Sequence, residues 1–273
     1  MNNNKVCIVI PIYKNHPTDL ERASFRQALT ILSKYDICVY TYQGLDLSVY
    51  YNEASILNKD FIVEYFDKSY FSSVKGYNRL CLTVDFYKRV SAYKYMLIYQ
   101  LDAWVFCDEL EYWCNKGYDY VGAPWFTNWG TYEDGEELWC VGNGGFSLRN
   151  ISFFIKMLSY KYPLSYTIDI KNGFRGFVKS IVKLTGFHNT VSSLIKCCNE
   201  YINEDFFLTN TLGSISRKSI FHPILPPPLE AARFSFEASP SYLYKLVGRK
   251  LPFGCHAFEK YEYETFYKNY ISL

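Results

Sequence analysis

Several features that would assign a chain to a broad class at once are missing from this sequence. It has no excess of one charge, because 29 Lys and Arg residues stand against 27 Asp and Glu residues, for a net charge of +2. A globally basic nucleic-acid-binding protein is thereby excluded, and we expect no nucleic-acid partner. The first apolar run stops at Pro11, far short of the roughly 20 residues that span a bilayer. We therefore expect neither a signal peptide nor a transmembrane helix.

Closely spaced cysteine pairs are missing as well. The nine cysteines include no pair at CxxC spacing, their number is odd, and most of them lie in apolar runs. We interpret them as buried free thiols of a cytoplasmic protein, with a zinc site or a disulfide framework as the alternative. Their positions are Cys7, Cys38, Cys81, Cys107, Cys114, Cys140, Cys197, Cys198 and Cys255.

Aromatic residues, in contrast, are abundant: they make up 19% of the chain and include 27 Tyr and 21 Phe. Aromatic rings stack on sugar faces, although a chain rich in Tyr and Lys can also reflect the composition of its genome. The composition therefore favours a carbohydrate ligand only slightly.

Short apolar runs alternate with helical patterns in the first half of the chain. The predicted strands are Val6 to Tyr13, Ile37 to Tyr42, Phe61 to Phe66 and Tyr95 to Gln100. Helical spacing of apolar residues separates them at Asp19 to Ser33 and at Tyr77 to Val90. Strands that alternate with helices predict an α/β fold with a mostly parallel central sheet flanked by helices.

The second half has the pattern of an elaboration on the same sheet. No linker or internal repeat interrupts the chain, so residues 1–273 are expected to form a single domain. In such sheets ligands collect at the carboxyl ends of the strands. We therefore expect Lys14 to His16, Gly44 and the stretch after Gln100 to converge on one crevice. Pro11 and Tyr13, at the end of the first predicted strand, are further candidates for binding the donor.

Asp102 is a single acid in an otherwise apolar stretch after the fourth predicted strand. A buried carboxylate is costly unless a cation or hydrogen-bond donors satisfy it. A divalent cation here would suit glycosyl transfer, where it bridges the two phosphates of the donor and stabilises the leaving nucleoside diphosphate. The alternative is that Asp102 caps a helix over Asp108 to Trp113.

The segment Tyr99-Gln100-x-Asp102 resembles the strand-end Asp-x-Asp motif of GT-A glycosyltransferases. Together with four later blocks it is similar to a bacterial family of GT-A enzymes, DUF5672, over roughly residues 60 to 260. The five blocks are Gln100-x-Asp102, Asp119 to Trp125, Gly142 to Arg149, Glu204-Asp205 and Pro252 to His256.

This resemblance implies a GT-A-like sheet, with residues 1–126 binding a nucleotide sugar and 127–273 binding the acceptor. It also implies a Mn²⁺ or Mg²⁺ ion on Asp102, with Gln100 standing where many members have the first Asp. The donor and acceptor pocket would be lined by Asn143, Gly144 and Gly145. From the residues alone, these glycines are equally consistent with a tight hairpin.

The resemblance also suggests roles for three polar residues of the second half. Asp205 matches the general base of inverting families, and Glu204 is predicted as a catalytic residue with it. Adjacent carboxylates point in different directions, so one of the two can face the pocket while the other braces it. The alternative is a charge pair at a helix N-terminus. His256 occupies the position of a late metal ligand, with a structural histidine as its alternative.

A basic stripe beside an apolar one is predicted for residues 171–184. Lys171, Arg175, Lys179 and Lys183 recur at a spacing of four, which suits peripheral contact with an anionic membrane. The alternative is an ordinary amphipathic helix packed on the core.

The sequence thus predicts a metal-dependent, inverting glycosyltransferase at the inner face of the cytoplasmic membrane. The expected donor is a UDP-sugar, and the acceptor is a glycan or lipid-linked saccharide of bacterial surface polysaccharide synthesis. A non-catalytic carbohydrate-binding protein is the main alternative. A nucleotidyltransferase is disfavoured, because the loop after the first strand, from Ile12 to Pro17, contains no glycine.

Overall fold

A computed structural model describes residues 5–160, 191, 203–212 and 219–271. Eleven strands lie in these ranges. They are β1 (Val6–Pro11), β2 (Asp36–Tyr42), β3 (Ile62–Phe66), β4 (Tyr95–Tyr99), β5 (Trp104–Val105), β6 (Tyr120–Val121), β7 (Pro124–Phe126), β8 (Leu138–Val141), β9 (Phe146–Asn150), β10 (Ser235–Phe236) and β11 (Gly254–Cys255).

Nine α-helices accompany these strands within the described residues. They are α1 (Asp19–Ile31), α2 (Ser48–Ile56), α3 (Val74–Cys81), α4 (Val84–Lys88), α5 (Leu110–Asn115), α6 (Ile151–Ser159), α7 (Glu204–Phe206), α8 (Pro228–Phe234) and α9 (Pro240–Leu246). A wider π-helical turn, Phe207–Thr211, continues α7.

Six strands form the central sheet in the order β3-β2-β1-β4-β9-β6. The first four run parallel, and β9 is antiparallel to both β4 and β6. All residues of β1 and β4 are buried, as expected for strands covered on both faces. The predicted α/β class with a mostly parallel sheet is confirmed.

Alternate residues of the central strands face two separate apolar layers. In β4, Leu97 packs into one layer, while Met96 and Ile98 pack into the other. This alternation follows from the two-residue period of a strand. The core therefore lies on both faces of the sheet, and the polar residues that follow β1 and β4 are left at its carboxyl edge.

The helix predicted over Tyr77 to Val90 is two helices, α3 and α4. The side chain of Thr83 caps α4 by accepting a hydrogen bond from the Phe86 amide at 3.2 Å, and it donates to the Leu80 carbonyl at 2.7 Å. The hydroxyl of Thr83 thus forms hydrogen bonds at the end of α3 and at the start of α4. These bonds end one helix and begin the next, although the apolar spacing continues through Thr83.

A second, three-stranded sheet has the order β10-β11-β5. Within it β10 and β11 are parallel, and β11 is antiparallel to β5. Because β5 begins two residues after Asp102, this sheet joins the carboxyl edge of the central sheet to the C-terminal part of the chain.

Five of the seven cysteines among the described residues are buried, and all seven are free thiols. Cys107 is exposed, contrary to the prediction of buried thiols. No helix in the described part of the chain is long and apolar enough to cross a bilayer. The basic stripe over 171–184 lies outside the described residues.

Truncation of a central core side chain tests this packing. Leu97 is fully buried in β4, so Leu97→Ala should lower the free energy of unfolding by about 2–5 kcal/mol. Urea unfolding followed by circular dichroism measures the loss. Val74→Ala, at an exposed position of α3, is the matched control and should leave stability nearly unchanged. Equal stability of the two variants would contradict the fold.

Candidate functional site

The small sheet brings three polar side chains to the carboxyl edge of the central sheet. Asp102 lies in the turn between β4 and β5, Glu237 directly follows β10, and His256 directly follows β11. Phe236 and Cys255 are register partners in the parallel pair, so the residues after them are neighbours. The His256 amide extends this pairing by donating to the Phe236 carbonyl at 2.9 Å.

The imidazole of His256 contacts oxygens at both ring nitrogens. Nδ1 is 3.0 Å from Oε2 of Glu237, while Nε2 is 3.3 Å from Oε1 of Gln100 and 3.4 Å from Oδ1 of Asp102. Burial lowers the pKa of His256, but the charges of Glu237 and Asp102 outweigh it and raise that pKa well above its usual value. Nε2 thus faces two oxygens that only a proton or a cation can satisfy.

These residues fit a divalent cation. Adjacent ligands of an octahedral ion with metal–ligand distances of about 2.1 Å lie about 3 Å apart, close to the observed separation of Nε2 and Oδ1. If Nδ1–H donates to Glu237, the lone pair of Nε2 points towards Asp102, as in carboxylate–histidine–metal arrangements. The Asp102 side chain remains 43% exposed, so the site is open on the side where a donor would approach.

The number of protein ligands is small. Among the residues that the structure describes, no group of three or more His, Cys, Asp or Glu side chains could hold a metal ion. Glu237 contacts Nδ1, on the far side of the imidazole, and so cannot bind the same ion as Nε2. The candidate ligands are therefore Asp102, His256 and the amide oxygen of Gln100. Mg²⁺ sites commonly have one or two protein carboxylates and take their remaining ligands from substrate phosphates and water.

Asp102 is not a helix cap. The residue that precedes α5 is Glu109, which makes no capping hydrogen bond, and the Leu110 amide donates to Asp108 at 3.3 Å. The partial exposure of Asp102 also differs from the expected full burial. The opposing effects of burial and of the His256 charge leave its pKa lowered, so that Asp102 is ionised at neutral pH.

Two adjacent glycines connect the His256 cluster to Asp205. A Cβ at Gly145 would lie 2.0 Å from Nε2 of His256, and a Cβ at Gly144 would lie 2.1 Å from Oε1 of Glu204. The Gly144 amide donates to Oδ2 of Asp205 at 3.1 Å. Only residues without side chains allow the histidine and the two acids to approach one turn of backbone this closely.

Asp205 has the environment of a proton acceptor. Burial and the charge of Glu204 raise its pKa to about 6. The backbone amides of Gly144 and Phe206 hold its two oxygens in place, at 3.1 and 2.7 Å. A carboxylate with a pKa near neutrality is suited to general base catalysis.

Glu204 has the bracing role that was expected for one member of the acidic pair. Its two oxygens accept hydrogen bonds from Nη1 and Nη2 of Arg149 at 2.8 and 2.7 Å. Arg149 is fully buried, and its Nη1 also contacts the Tyr87 hydroxyl at 3.1 Å. Because both oxygens are committed to this ion pair, Glu204 is in a position to brace Asp205, and a catalytic role for Glu204 itself stays a prediction.

The other predicted donor-site residues lie nearby with differing access to solvent. Tyr13 is 52% exposed, and the charge of Asp102 contributes to raising its pKa, after burial. Pro11 is buried within β1. Asn143 is buried with a left-handed φ of 60°, and its Oδ1 accepts a hydrogen bond from Nε1 of Trp125 at 2.8 Å. A donor contact by Asn143 stays a prediction, as does one by Pro11.

Sequence reasoning did not find the partner of His256. That partner is Glu237, whose carboxylate contacts Nδ1 of the imidazole at 3.0 Å. The signal available was the need of an apolar-loop histidine for a polar neighbour. The neighbour itself depends on the pairing of two strands of two residues each, which leave no periodic pattern.

Comparison with known proteins identifies one family. Residues 60–256 match the family described as "Protein of unknown function (DUF5672)". A comparison with curated proteins gave no match.

Several solved structures are similar to the chain. The galactosyltransferase LgtC has 13% identity and a TM-score of 0.47, with 91% of this chain and 86% of that one covered. Mouse xyloside xylosyltransferase 1 has 10% identity and a TM-score of 0.47, with 92% and 97% covered. Core-mannan synthase A from Aspergillus fumigatus has 9% identity and a TM-score of 0.40, with 74% and 71% covered. The assignment of activity therefore rests on the side chains of the site.

Loss of the buried ion pair should cost stability. Glu204→Gln leaves the Arg149 guanidinium buried without a counter-charge and should lower the free energy of unfolding by about 3–5 kcal/mol. Urea unfolding of the variant and of the wild type measures this loss of stability. Glu264→Gln removes the acid of an exposed pair with Lys268 and is the control, for which stability should barely change. If Glu204→Gln lowered the free energy of unfolding as little as Glu264→Gln does, the bracing role of Glu204 would be wrong.

Proposed function

The chain belongs to the DUF5672 family, and we propose that it is a glycosyltransferase that uses a nucleotide-sugar donor and a divalent cation. One observation carries the proposal: Oδ1 of Asp102 and Oε1 of Gln100 converge on Nε2 of His256, beside a carboxylate with the pKa of a base, Asp205. A carbohydrate-binding protein without catalytic activity needs neither feature.

The cation site lies on the donor side. A Mn²⁺ or Mg²⁺ ion held by Asp102 and His256, with Gln100 beside it, would neutralise the charge that develops on the leaving nucleoside diphosphate. Glu237 fixes the tautomer and orientation of the His256 ring by accepting the Nδ1 proton.

The base lies across the glycine turn from this cluster. Asp205 accepts the proton of the acceptor hydroxyl as that oxygen attacks the anomeric carbon, and the Gly144 amide keeps the carboxylate aimed. Attack from the side opposite the leaving group inverts the anomeric carbon. The buried pair of Arg149 and Glu204 holds the backbone that presents Asp205.

The finer parts of the proposal follow from the family resemblance. We favour a UDP-sugar donor and a glycan or lipid-linked saccharide acceptor, with a role in bacterial surface polysaccharide synthesis. Tyr13, exposed at the end of β1, is proposed to contact the donor.

A donor-hydrolysis screen tests the class of reaction. Purified protein is incubated with UDP-, GDP- and CMP-sugars in Mn²⁺, Mg²⁺ or EDTA, and the released nucleotide is quantified. We expect release of one nucleotide that requires metal. Glu237→Gln should reduce it about 10–100-fold by releasing the His256 ring, and Asp102→Asn should reduce it at least as much.

The matched control for this screen is Asp85→Asn, on the exposed face of α4, which should release nucleotide at the wild-type rate. Release that persists in EDTA and in Asp102→Asn would contradict the cation site. No release and no nucleotide binding would favour the carbohydrate-binding alternative.

The pH dependence of transfer tests the base. Because Asp205 must be ionised to accept a proton and its pKa is about 6, kcat/KM should be constant above pH 7. Below pH 6 it should fall about tenfold per pH unit. Asp205→Asn should lower the rate by about 10²–10⁴-fold and remove the inflection. A wild-type profile without an inflection near pH 6 would exclude Asp205 as the base.

A further inference from the structure

An exposed group of aromatic rings lies beside Asp205. We call it the aromatic platform and define it as Trp129, Trp139 and Phe206. Trp129 and Trp139 are 52% and 44% exposed. Their ring centroids are 4.6 Å apart at an interplanar angle of 74°, and the Phe206 ring is 4.8 Å from Trp129. The two tryptophan rings are thus steeply inclined to each other, and both are open to solvent.

The loop between β7 and β8 holds Trp129 in a strained conformation. Trp129 has a left-handed φ of 63°, which is unfavourable for a bulky residue. Asn128 fixes the turn, because its side chain accepts from the Gly130 amide at 2.9 Å and donates to the Thr131 carbonyl at 3.0 Å. Such strain persists only where the surroundings enforce it, and it concentrates at functional sites.

The loop is also braced from the C-terminal part of the chain. The Tyr132 amide donates to Oγ of Ser239 at 2.7 Å, and the Tyr132 ring stacks on Tyr242 with centroids 3.6 Å apart. The platform is therefore attached to the body of the protein at the far end of the loop, and a ligand would meet preformed rings.

Trp125 connects the platform to the glycine-rich turn. Its ring lies 5.5 Å from that of Trp129 and packs where Gly142 has no side chain, since a Cβ there would be 1.9 Å from the indole. Its Nε1 donates to Asn143 at 2.8 Å. Trp125 thus joins the platform to the glycine-rich turn whose Gly144 amide holds Asp205.

The order of groups along this chain of contacts separates two sides of the site. Asp102 and His256 come first, Gly145 and Gly144 follow, and Asp205 comes next. Phe206, the residue after Asp205, belongs to the platform. A hydroxyl that gives its proton to Asp205 in an inverting attack must approach from the side away from the leaving diphosphate. In this chain of contacts the platform follows Asp205, at the end away from Asp102 and His256.

The chemistry of the platform suits a sugar ring. The face of an aromatic ring carries negative charge density and attracts weakly positive hydrogens, such as the C–H groups on one face of a pyranose. Trp129 and Trp139 present two such ring faces to solvent beside each other.

We infer that the aromatic platform is the acceptor subsite and that it binds a pyranose ring of a saccharide by stacking. This inference rests on the proposed glycosyl transfer and names the residues that would bind the saccharide acceptor. The platform positions the acceptor, while Asp205 takes the proton of its hydroxyl.

Fluorine NMR of protein labelled with 5-fluorotryptophan tests the binding. The probes are methyl β-D-galactopyranoside, methyl β-D-glucopyranoside and methyl α-D-mannopyranoside, with UDP as the comparison ligand. The five tryptophans are Trp104, Trp113, Trp125, Trp129 and Trp139. We expect at least one pyranoside to shift the signals of Trp129 and Trp139 and to leave those of buried Trp104 and Trp113 unchanged.

Kinetics with the pyranoside that gives the largest shift tests the role. Trp129→Ala and, independently, Trp139→Ala should raise the KM for that pyranoside about tenfold, equivalent to about 1.4 kcal/mol. A rise in KM with a much smaller change in kcat is the expected signature of lost acceptor binding. Trp129→Phe should restore most of the affinity. The control is Tyr112→Ala on α5, where the ring is 53% exposed, and its KM should match the wild type.

Three outcomes would overturn the inference: no pyranoside shifts the two signals, UDP shifts them instead, or both alanine variants keep the wild-type KM. If the pyranosides shift the signals but no nucleotide sugar is cleaved, glycosyl transfer fails while saccharide binding at the platform stands. The two failures are therefore distinguishable.

Discussion

The contact of the His256 imidazole with oxygens at both of its nitrogens is the constraint on which the rest of the site depends. Glu237 on one side determines which nitrogen carries the proton, and Asp102 and Gln100 on the other side present oxygens to the remaining nitrogen. Without a positive charge this arrangement would be unfavourable. The local structure around it, including the pairing of β10 with β11 and the glycines against the ring, serves to hold these groups together.

The two adjacent glycines couple this cluster to the base. Gly145 has space for the His256 ring, and Gly144 donates its amide to Asp205 while leaving room for Glu204. The buried ion pair between Glu204 and Arg149 stabilises the turn that contains these glycines. The His256 cluster and Asp205 thus contact neighbouring glycines, and a side chain at either glycine would collide with His256 or Glu204.

The sequence predicted the parts of the fold that have long, regular patterns. The buried runs of β1, β2 and β4 are long enough for their composition to identify them, and Asp102 lies in the turn after the last of these. The break at Thr83 was not predicted, since its hydroxyl competes with an apolar spacing that continues through it. The partnership of Glu237 with His256 was also missed, because it depends on strands too short to show a period.

The aromatic platform illustrates the same limit of sequence reasoning. Its two tryptophans lie ten residues apart in the sequence, but Phe206 lies more than sixty residues away from both and meets them only in the folded protein. Composition favoured a carbohydrate ligand only slightly. The exposed rings, one of them on the residue after Asp205, indicate where on the protein a carbohydrate would bind.

The central claim is that His256 and Asp102 form a cation site, and paramagnetic broadening of histidine signals tests it most directly. The chain has four histidines, and His256→Gln assigns the relevant imidazole. In protein labelled with ¹⁵N-histidine and saturated with UDP, substoichiometric Mn²⁺ should broaden the His256 signal selectively, while Mg²⁺ should not broaden it. Equal broadening of all four signals, or an unaffected His256 signal, would contradict the account.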